Sequence, residues 1–431
     1  MSIAYGGIIA FLFRGVNLLV ALATILLTSR ELSEGDYGLF VLSLSVIGLV
    51  NAATGGITAA TAYQISNRRR EPALVALNSG SLAAALGMLA ILAGVVATAA
   101  FRGEVSQVGV AVGVSAAAII SNSVLAGVFL GRESLVRYNL ALVTPPILSL
   151  VAIGATFVAF DHRSPEAALA AYAAGQCAAL VAMLVLGRSL LRGGASFDGS
   201  LTSAVLRFMA LAGISSGISY LNYRADLFVV THFEGKEGAA TYSLAVYLAE
   251  SVWQVSGSLA LATYARVGSL SRDEAAQLTT RVMRHTVVLL GAACLALFAA
   301  ADLLETVIAG DKYQGMASAL RFLIPGVLMY SLAQSFSGFY TYQRGLPWVA
   351  AVVAGTGLVL DMVLAFILVP RMGINGAALA SSLAYSGAIL GGLAVFVRKE
   401  RLRPSQVFRF GRAELDDYAS LVGRLRGLVS R

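Results

Sequence analysis

The amino-acid sequence contains about twelve apolar stretches that are each long enough to cross a lipid bilayer. A membrane-spanning helix needs roughly 20 mostly apolar residues. A helix also bonds its own backbone amides, whereas an open sheet in lipid would leave them unbonded. We therefore expect an all-α, polytopic membrane protein. The predicted spans are 4–28, 37–65, 79–101, 108–130, 138–160, 166–187, 208–231, 239–264, 284–301, 316–342, 348–369 and 375–397.

The composition favours the same class. Of the 431 residues, 58% are hydrophobic and 13% are charged, and the mean hydropathy is +0.79. Soluble proteins carry about 25% charged residues. The formal net charge of +8 could indicate a nucleic-acid partner, but the distribution of the basic residues along the chain argues against one.

Basic residues concentrate in alternate loops. If the N-terminus is cytoplasmic, the inner loops hold thirteen Arg or Lys, the outer loops hold six, and the tail after the last span holds nine. Positive charge is retained on the cytoplasmic side of membranes. We therefore expect a multi-pass protein of the cell (inner, or cytoplasmic) membrane with both termini in the cytoplasm, and no nucleic-acid partner.

The two halves of the chain resemble each other weakly. EAALAAYAAG at 166–175 is echoed by GAALASSLAYSG at 376–387, and each opens the last span of its half. Six spans per half mean that both halves begin on the same side, which predicts two parallel six-helix lobes around a central cavity. The predicted divisions are an N-terminal lobe at 1–190, a Gly- and Ser-rich cytoplasmic linker at 191–205, a C-terminal lobe at 206–398 and a basic cytoplasmic tail at 399–431.

The tail carries an apolar stripe at helical spacing, flanked by arginines. This pattern predicts a basic amphipathic helix on the inner leaflet, where contact with membrane lipids would hold it. A solvated tail is the alternative. The stripe consists of Leu415, Tyr418, Val422, Leu425 and Leu428.

Six ionisable residues fall inside the predicted spans. Each costs about 2.5–3.5 kcal/mol at a helix centre, so each is a candidate functional residue. Three are cations and three are acids, so their formal charges cancel. They are Arg14, Arg224, Arg321, Asp226, Glu250 and Asp361.

The first span carries Arg14, Asn17, Thr24 and Thr28 at steps that keep them on roughly one face. We expect this polar stripe to line an aqueous cavity, with Arg14 and Asn17 binding substrate. The alternative is a structural arginine bonded to carbonyl groups of neighbouring helices.

The seventh span contains Arg224 and Asp226 within SYLNYRADLFVV at 219–230. Two positions correspond to about 200° of helical rotation, so these two side chains do not face each other. We expect Arg224 and Tyr220, on one stripe, to face a cavity. Asp226, on the other stripe, is a candidate for interhelical bonding or proton coupling.

The remaining candidates lie in the second half of the chain. Glu250 shares a helical face with Gln254, and a desolvated glutamate can hold a proton near neutral pH unless a cation pairs with it. Asp361 is either a protonatable site or a structural link. Arg321 lies near the outer end of its span, where it lines the cavity or extends toward water.

Catalytic and metal-binding motifs are absent from the sequence. It contains no HExxH or Walker A pattern, and its two cysteines have no zinc-site spacing. We therefore expect a protein that is not an enzyme and that has neither a metal site nor a cofactor.

Four segments, in order along the chain, resemble those of polysaccharide and O-antigen flippases, within the wider multidrug/oligosaccharidyl-lipid/polysaccharide exporter superfamily. They are EGDYGLF at 34–40, RADLFVVTHFEGKEGAATYSLAVYL at 224–248, IAGDKYQGMASALRFLIPG at 308–326 and VPRMGINGAALASSLAYS at 369–386. This resemblance implies alternating access of a central cavity. It also implies translocation of an isoprenoid-diphosphate-linked oligosaccharide to the outer leaflet during polysaccharide biosynthesis, with polymerase or other assembly proteins as partners.

The resemblance assigns cavity arginines to the anionic headgroup, and Arg14 and then Arg224 fit that role by position. The chain departs from the family in having few such cations and three membrane carboxylates. A cation-coupled small-molecule or drug antiporter, using Glu250, Asp226 and Asp361, is the competing hypothesis.

Overall fold

The computed structural model describes residues 3–102, 106–194, 196–253, 256, 267, 270–310, 312–346 and 348–403, and within these ranges it contains helices and no strand. The all-α prediction is therefore confirmed. The helices are α1 Ile3–Glu31, α2 Glu34–Thr54, α3 Gly56–Ser66, α4 Pro72–Arg102, α5 Gln107–Gly131, α6 Leu135–Val158, α7 Pro165–Gly187, α8 Gly199–Ser251, α9 Arg272–Ala299, α10 Ala301–Leu304, α11 Met316–Gly338, α12 Trp348–Met372 and α13 Ile374–Lys399, with π-helical segments at Glu305–Ala309 and Phe339–Gln343.

Eleven helices in the described ranges are long and apolar enough to cross a membrane. The difference from the twelve predicted spans arises in α8, which contains two of them. Gly235 interrupts α8 with φ 73° and ψ −168°, a conformation that glycine adopts readily because it lacks a Cβ. The prediction of about twelve membrane helices therefore agrees with the structure.

Two arms of α8 fold back on each other at Gly235. The hydroxyl of Tyr242 reaches the carboxylate of Asp226, although a straight helix would separate residues 16 positions apart by about 24 Å. Residues 199–234 form the first arm and residues 236–251 the second. The predicted spans at 208–231 and 239–264 correspond to these arms, and residues 254–255 and 257–266 lie outside the described structure.

Helix α9 begins about three turns before the predicted span at 284–301. Ser271 accepts a hydrogen bond from the backbone of Glu274, and the Glu274 side chain bonds back to Ser271, which forms a capping box. The 28 residues of α9 measure about 42 Å, more than the roughly 30 Å of hydrocarbon. Hydropathy therefore identified the membrane part of the helix and missed its polar extension.

The chain divides into two compact units. The first comprises Met1–Leu244 and Thr306–Gln314, and the second comprises Ala245–Glu305 and Gly315–Arg431. A cluster that includes Ile57, Val75 and Val205 forms a core of the first unit. Phe336, Phe339 and Phe396 contribute to a core of the second. These units are divisions by packing, and the lobes proposed from the repeat stay a prediction.

The predicted linker at 191–205 is held by a buried amide. Asn78 donates to the carbonyl of Ser196 over 3.0 Å and accepts from the backbone of Asp198 over 2.7 Å. Asp198 then caps α8 by accepting from the backbone of Ser200 and Leu201 at 2.9 and 3.2 Å. Its hydrogen bond from the Ser200 hydroxyl contributes most to holding the Asp198 pKa below its usual value. The last part of the segment, from Gly199, is helical.

The amphipathic helix predicted in the tail falls on residues 404–431, outside the described structure.

Candidate functional site

The first arm of α8 runs antiparallel to α2 and α3 at very short range. A methyl group on Gly213 would lie 1.9 Å from the carbonyl oxygen of Ala53, and one on Gly56 would lie 2.8 Å from that of Met209. Small residues at such crossings let helix backbones approach each other in membranes. This crossing sets the rotation of the arm that carries Tyr220, Arg224 and Asp226.

Tyr220 belongs to this crossing. Its hydroxyl donates to the carbonyl of Ser45 over 3.0 Å, and it occupies the space that a side chain at position 48 would need, since a Cβ on Gly48 would lie 2.2 Å from it. Tyr220 therefore ties the first arm of α8 to α2. Its predicted part in substrate binding stays a prediction.

Asp226 lies between the two arms of α8. Its carboxylate is 3% exposed and accepts a hydrogen bond from the hydroxyl of Tyr242, which is itself fully buried. The second carboxylate oxygen accepts from the backbone of Leu227 over 2.8 Å. Asp226 thus bonds between two helical arms. Interhelical bonding is one of the two roles predicted for the stripe on the side of the helix opposite Arg224.

Arg224 is half-buried on the first arm, and its guanidinium donates to the carbonyl of Tyr223 over 2.9 Å. A bond to an adjacent residue leaves the long side chain near the helix backbone. Arg224 remains a candidate for substrate contact.

Arg14 and Asn17 lie one turn apart on α1. Arg14 is exposed and makes no hydrogen bond or ion pair with any described residue. The Oδ1 of Asn17 is buried, and no described residue donates to it. Buried polar atoms are almost always bonded, so Asn17 offers an acceptor, and Arg14 a cation, to an external partner.

The two threonines further along the same stripe are satisfied within the helix. Thr24 donates to the carbonyl of Val20 over 2.8 Å, and Thr28 donates to that of Thr24 over 2.7 Å. The polar stripe therefore divides into a satisfied half and, at Arg14 and Asn17, an unsatisfied half.

The acid predicted in the eleventh span is buried in the second unit. Asp361 of α12 is fully buried and accepts a hydrogen bond from Ser381 of α13 over 3.0 Å. This bond is the geometry expected if Asp361 is a structural link between helices. A coupling role for Asp361 stays a prediction.

Arg321 is engaged at the end of its helix. Its guanidinium donates to Asp302 over 2.6 Å and lies 5.5 Å from the ring centre of Phe298. The hydrogen bond from Arg321 is the main reason that the Asp302 pKa is lowered.

Of the two remaining candidates, Glu250 is half-buried, and Gln254 lies outside the described residues.

Sequence reasoning missed the partners of these groups. Tyr242, Ser381 and Asp302 each bond to a predicted candidate. The signal for Tyr242 and Ser381 was weak, because each is a single hydroxyl group within an apolar run. Hydropathy does not register such a group as the partner of an acid on another helix.

The fold can be compared with solved structures. It is similar to the lipid II flippase MurJ in an inward closed conformation, with a TM-score of 0.72 and 12% identity over 91% of this chain and 87% of that one. It is also similar to an inward-facing multidrug resistance MATE family transporter of the MOP superfamily, with a TM-score of 0.68 and 16% identity over 93% of this chain and 95% of that one.

A MOP superfamily transporter from Pyrococcus furiosus gives a TM-score of 0.57 and 18% identity over 92% of this chain and 94% of that one. This chain has the fold of MOP superfamily transporters. Neither a protein-family model nor a curated protein matches the sequence. The likeness to these structures extends over nearly the whole chain. Because the sequence identities are low, it shows the fold alone.

Proposed function

We propose that this protein is a flippase that moves an isoprenoid-diphosphate-linked oligosaccharide from the cytoplasmic to the outer leaflet by alternating access. The unsatisfied pair on α1 carries the proposal. Arg14 offers charge-assisted donors to a phosphate, and the unbonded Oδ1 of Asn17 offers an acceptor to a sugar hydroxyl. One lipid-linked sugar phosphate supplies both partners.

The distribution of charge supports an anionic cargo. Asp226 and Asp361 are buried and accept hydrogen bonds from hydroxyl groups, whereas Arg14 is exposed. An exposed cation and shielded carboxylates favour an anion over a cationic drug. The likeness in fold to a lipid II flippase and the four flippase-like segments are consistent with this choice.

The proposal is tested in vesicles reconstituted with the purified protein. The probe is an isoprenoid diphosphate carrying a fluorescently labelled sugar, and a membrane-impermeant reductant reports how fast the inner-leaflet label becomes accessible. The wild type should expose the label much faster than protein-free vesicles. Equal rates in the two preparations would refute the flippase proposal.

Replacement of Arg14 tests the site itself. Hydrogen bonds to charged groups contribute about 1.5–3 kcal/mol, so Arg14→Gln should slow translocation by about 10- to 100-fold, and Arg14→Lys should slow it less. Arg371→Gln, at an exposed arginine bonded to its own helix, is the matched control. Wild-type rates in Arg14→Gln would remove Arg14 from the site.

A cation-coupled drug antiporter is the second candidate, and Glu250 is the observation that favours it. Glu250 is a half-buried acid in a membrane helix, and the fold is shared with a multidrug resistance transporter. In vesicles with a pH gradient, this candidate predicts accumulation of a cationic dye that Glu250→Gln abolishes. Absence of accumulation in the wild type would exclude it.

The cellular setting belongs to the same proposal. We place the protein in the cell membrane with both termini in the cytoplasm, as a transporter and not an enzyme, working beside polymerase or assembly proteins of a polysaccharide pathway. Site-specific labelling of single cysteines in the loops around Arg132 and Arg163 would test the orientation, because the two loops should be accessible from opposite sides.

A further inference from the structure

A groove of about 390 Å³ runs along the surface of the second unit. Its walls come from the π-helical segment Phe339–Gln343, from the start of α12 and from the second half of α13. The lining includes Tyr340, Trp348, Val352, Gly387, Gly391 and Lys399. This volume falls within the usual range of ligand pockets, about 300–1,000 Å³.

The groove exists because α13 presents glycines to it. Gly387 and Gly391 are one helical turn apart, and a Cβ added to Gly391 would meet no atom within 4 Å. Trp348 and Val352 on the opposite wall remain 58% and 56% exposed. The resulting trough is open along its length and suits a flexible apolar chain.

One end of the groove is polar. The ammonium of Lys399 is exposed and makes no hydrogen bond or ion pair with any described residue. The neighbouring acid does not neutralise it, because Glu400 is held by Arg272 through two bonds of 2.6 and 3.1 Å. Lys399 is the one charged residue among the described residues of the lining.

Tyr340 is a second polar residue in the lining of the groove. Tyr340 is only 3% exposed, and its buried hydroxyl has no hydrogen-bond partner in the described structure. Because this oxygen has almost no accessible surface, we count only the Tyr340 residue as part of the groove wall and assign no ligand contact to its hydroxyl.

The groove has the depth of one leaflet. Gly387 and Lys399 are 12 residues apart on α13, which corresponds to about 18 Å. Half of a typical hydrocarbon core is about 15 Å. An acyl chain that starts at the Lys399 end would therefore end near the middle of the bilayer.

We propose that this groove binds an anionic phospholipid, with an acyl chain along the glycine face of α13 and the phosphate at Lys399. Basic residues next to the membrane attract anionic lipids. The single unpaired cation in the lining suits a phosphodiester. The site is separate from the proposed cargo contacts on α1 and does not depend on them.

A groove of the first unit provides an internal comparison. It measures about 430 Å³ and is lined by residues of α4, α5 and α7, including Leu77, Gly80 and Leu184. None of the described residues that line it is charged. It should accept acyl chains without preference for the headgroup.

The experiment uses the quenching of Trp348 fluorescence by brominated acyl chains. The full-length protein is reconstituted into phosphatidylcholine vesicles with trace brominated phosphatidylglycerol or brominated phosphatidylcholine. Subtraction of the Trp348→Phe signal removes the contribution of Trp253, the other tryptophan. One lysine near the surface contributes about 1 kcal/mol, so half-maximal quenching should require about fivefold less phosphatidylglycerol than phosphatidylcholine.

Matched variants separate the two halves of the site. Lys399→Gln should abolish the headgroup preference, whereas Arg398→Gln should keep it. Gly391→Leu should weaken quenching by both brominated lipids. Gly355→Leu on α12 and Gly80→Leu in the other groove, where an added Cβ also meets no atom within 4 Å, should not.

Three results would overturn the proposal. One is equal quenching by the two lipids in the wild type. Another is an unchanged preference in both Lys399→Gln and Gly391→Leu, which would assign the effect to bulk lipid around the protein. Displacement of quenching by an isoprenoid diphosphate but not by unbrominated phosphatidylglycerol would identify a different occupant and would also refute it.

Discussion

The hydroxyl of Tyr242 donates to the carboxylate of Asp226, and this bond joins the two arms of α8. Both residues are at least 97% buried. The partners described for this buried acid include the Tyr242 hydroxyl and the backbone amide of Leu227. The sequence leaves Asp226 as a candidate for interhelical bonding or for proton coupling. The bond to Tyr242 makes it a link between consecutive membrane helices, and a coupling role stays a prediction.

Removal of the Tyr242 hydroxyl should therefore destabilise the protein. Interhelical hydrogen bonds in membranes contribute about 0.6 kcal/mol on average and up to about 1.7 kcal/mol. We expect Tyr242→Phe to fall near the upper end because the acceptor is a buried acid. Thermal unfolding in detergent measures the loss. Tyr63→Phe, which removes a hydroxyl without a bond to a described residue, is the control and should change little.

Two glycines one turn apart on α8 should respond in opposite ways to the same substitution. Gly213→Ala would place a methyl group 1.9 Å from the Ala53 carbonyl, whereas Gly217→Ala meets no atom within 4 Å. Overpacking costs about 1–3 kcal/mol, while replacing a helical glycine with alanine gains about 0.5–1 kcal/mol. Equal unfolding temperatures for the two variants would contradict the close crossing of α8 with α2.

The charge of Asp198 should matter near neutral pH and not in acid. Its pKa is lowered, mainly by the hydrogen bond from Ser200, so the ionised carboxylate stabilises the folded state. That contribution is present above the unfolded pKa of about 3.9 and is lost as the pH falls through the lower folded value.

Asp198→Asn tests this dependence because asparagine also caps helices and so removes only the charge. The unfolding temperature of the wild type should exceed that of the variant at about pH 6–7. The difference should shrink as the pH falls below about 3.9. A difference that stays constant across this range would mean that the charge of Asp198 is not the cause.

Arg321 and Arg14 should differ in their effect on transport. The guanidinium of Arg321 is already bonded to Asp302, whereas Arg14 has no described partner. In the vesicle assay, Arg321→Gln should therefore slow translocation less than Arg14→Gln. The reverse order would assign the anion contact to Arg321, in agreement with its predicted place among the substrate-binding residues.

Several features of the structure were predictable because they are local. The end of α7 at Gly187 and the start of α11 at Met316 agree with predicted spans. The polar start of α9 was not predicted, since a capping box at Ser271 and Glu274 adds little to a hydropathy average. The turn at Gly235 was predicted as a loop, and the structure shows that a single glycine with positive φ is the only break there.

The sequence by itself determined that the chain is helical, crosses the membrane about twelve times and carries six ionisable residues within its spans. Those properties follow from the free energy of transferring each segment into lipid, which depends on the segment alone. Only the tertiary structure decided that Asp226 bonds to Tyr242, that Tyr220 bonds to Ser45 and that Arg14 forms no hydrogen bond or ion pair with a described residue. Such contacts depend on the rotation and spacing of helices, and the close approach at Gly48, Gly56 and Gly213 sets both.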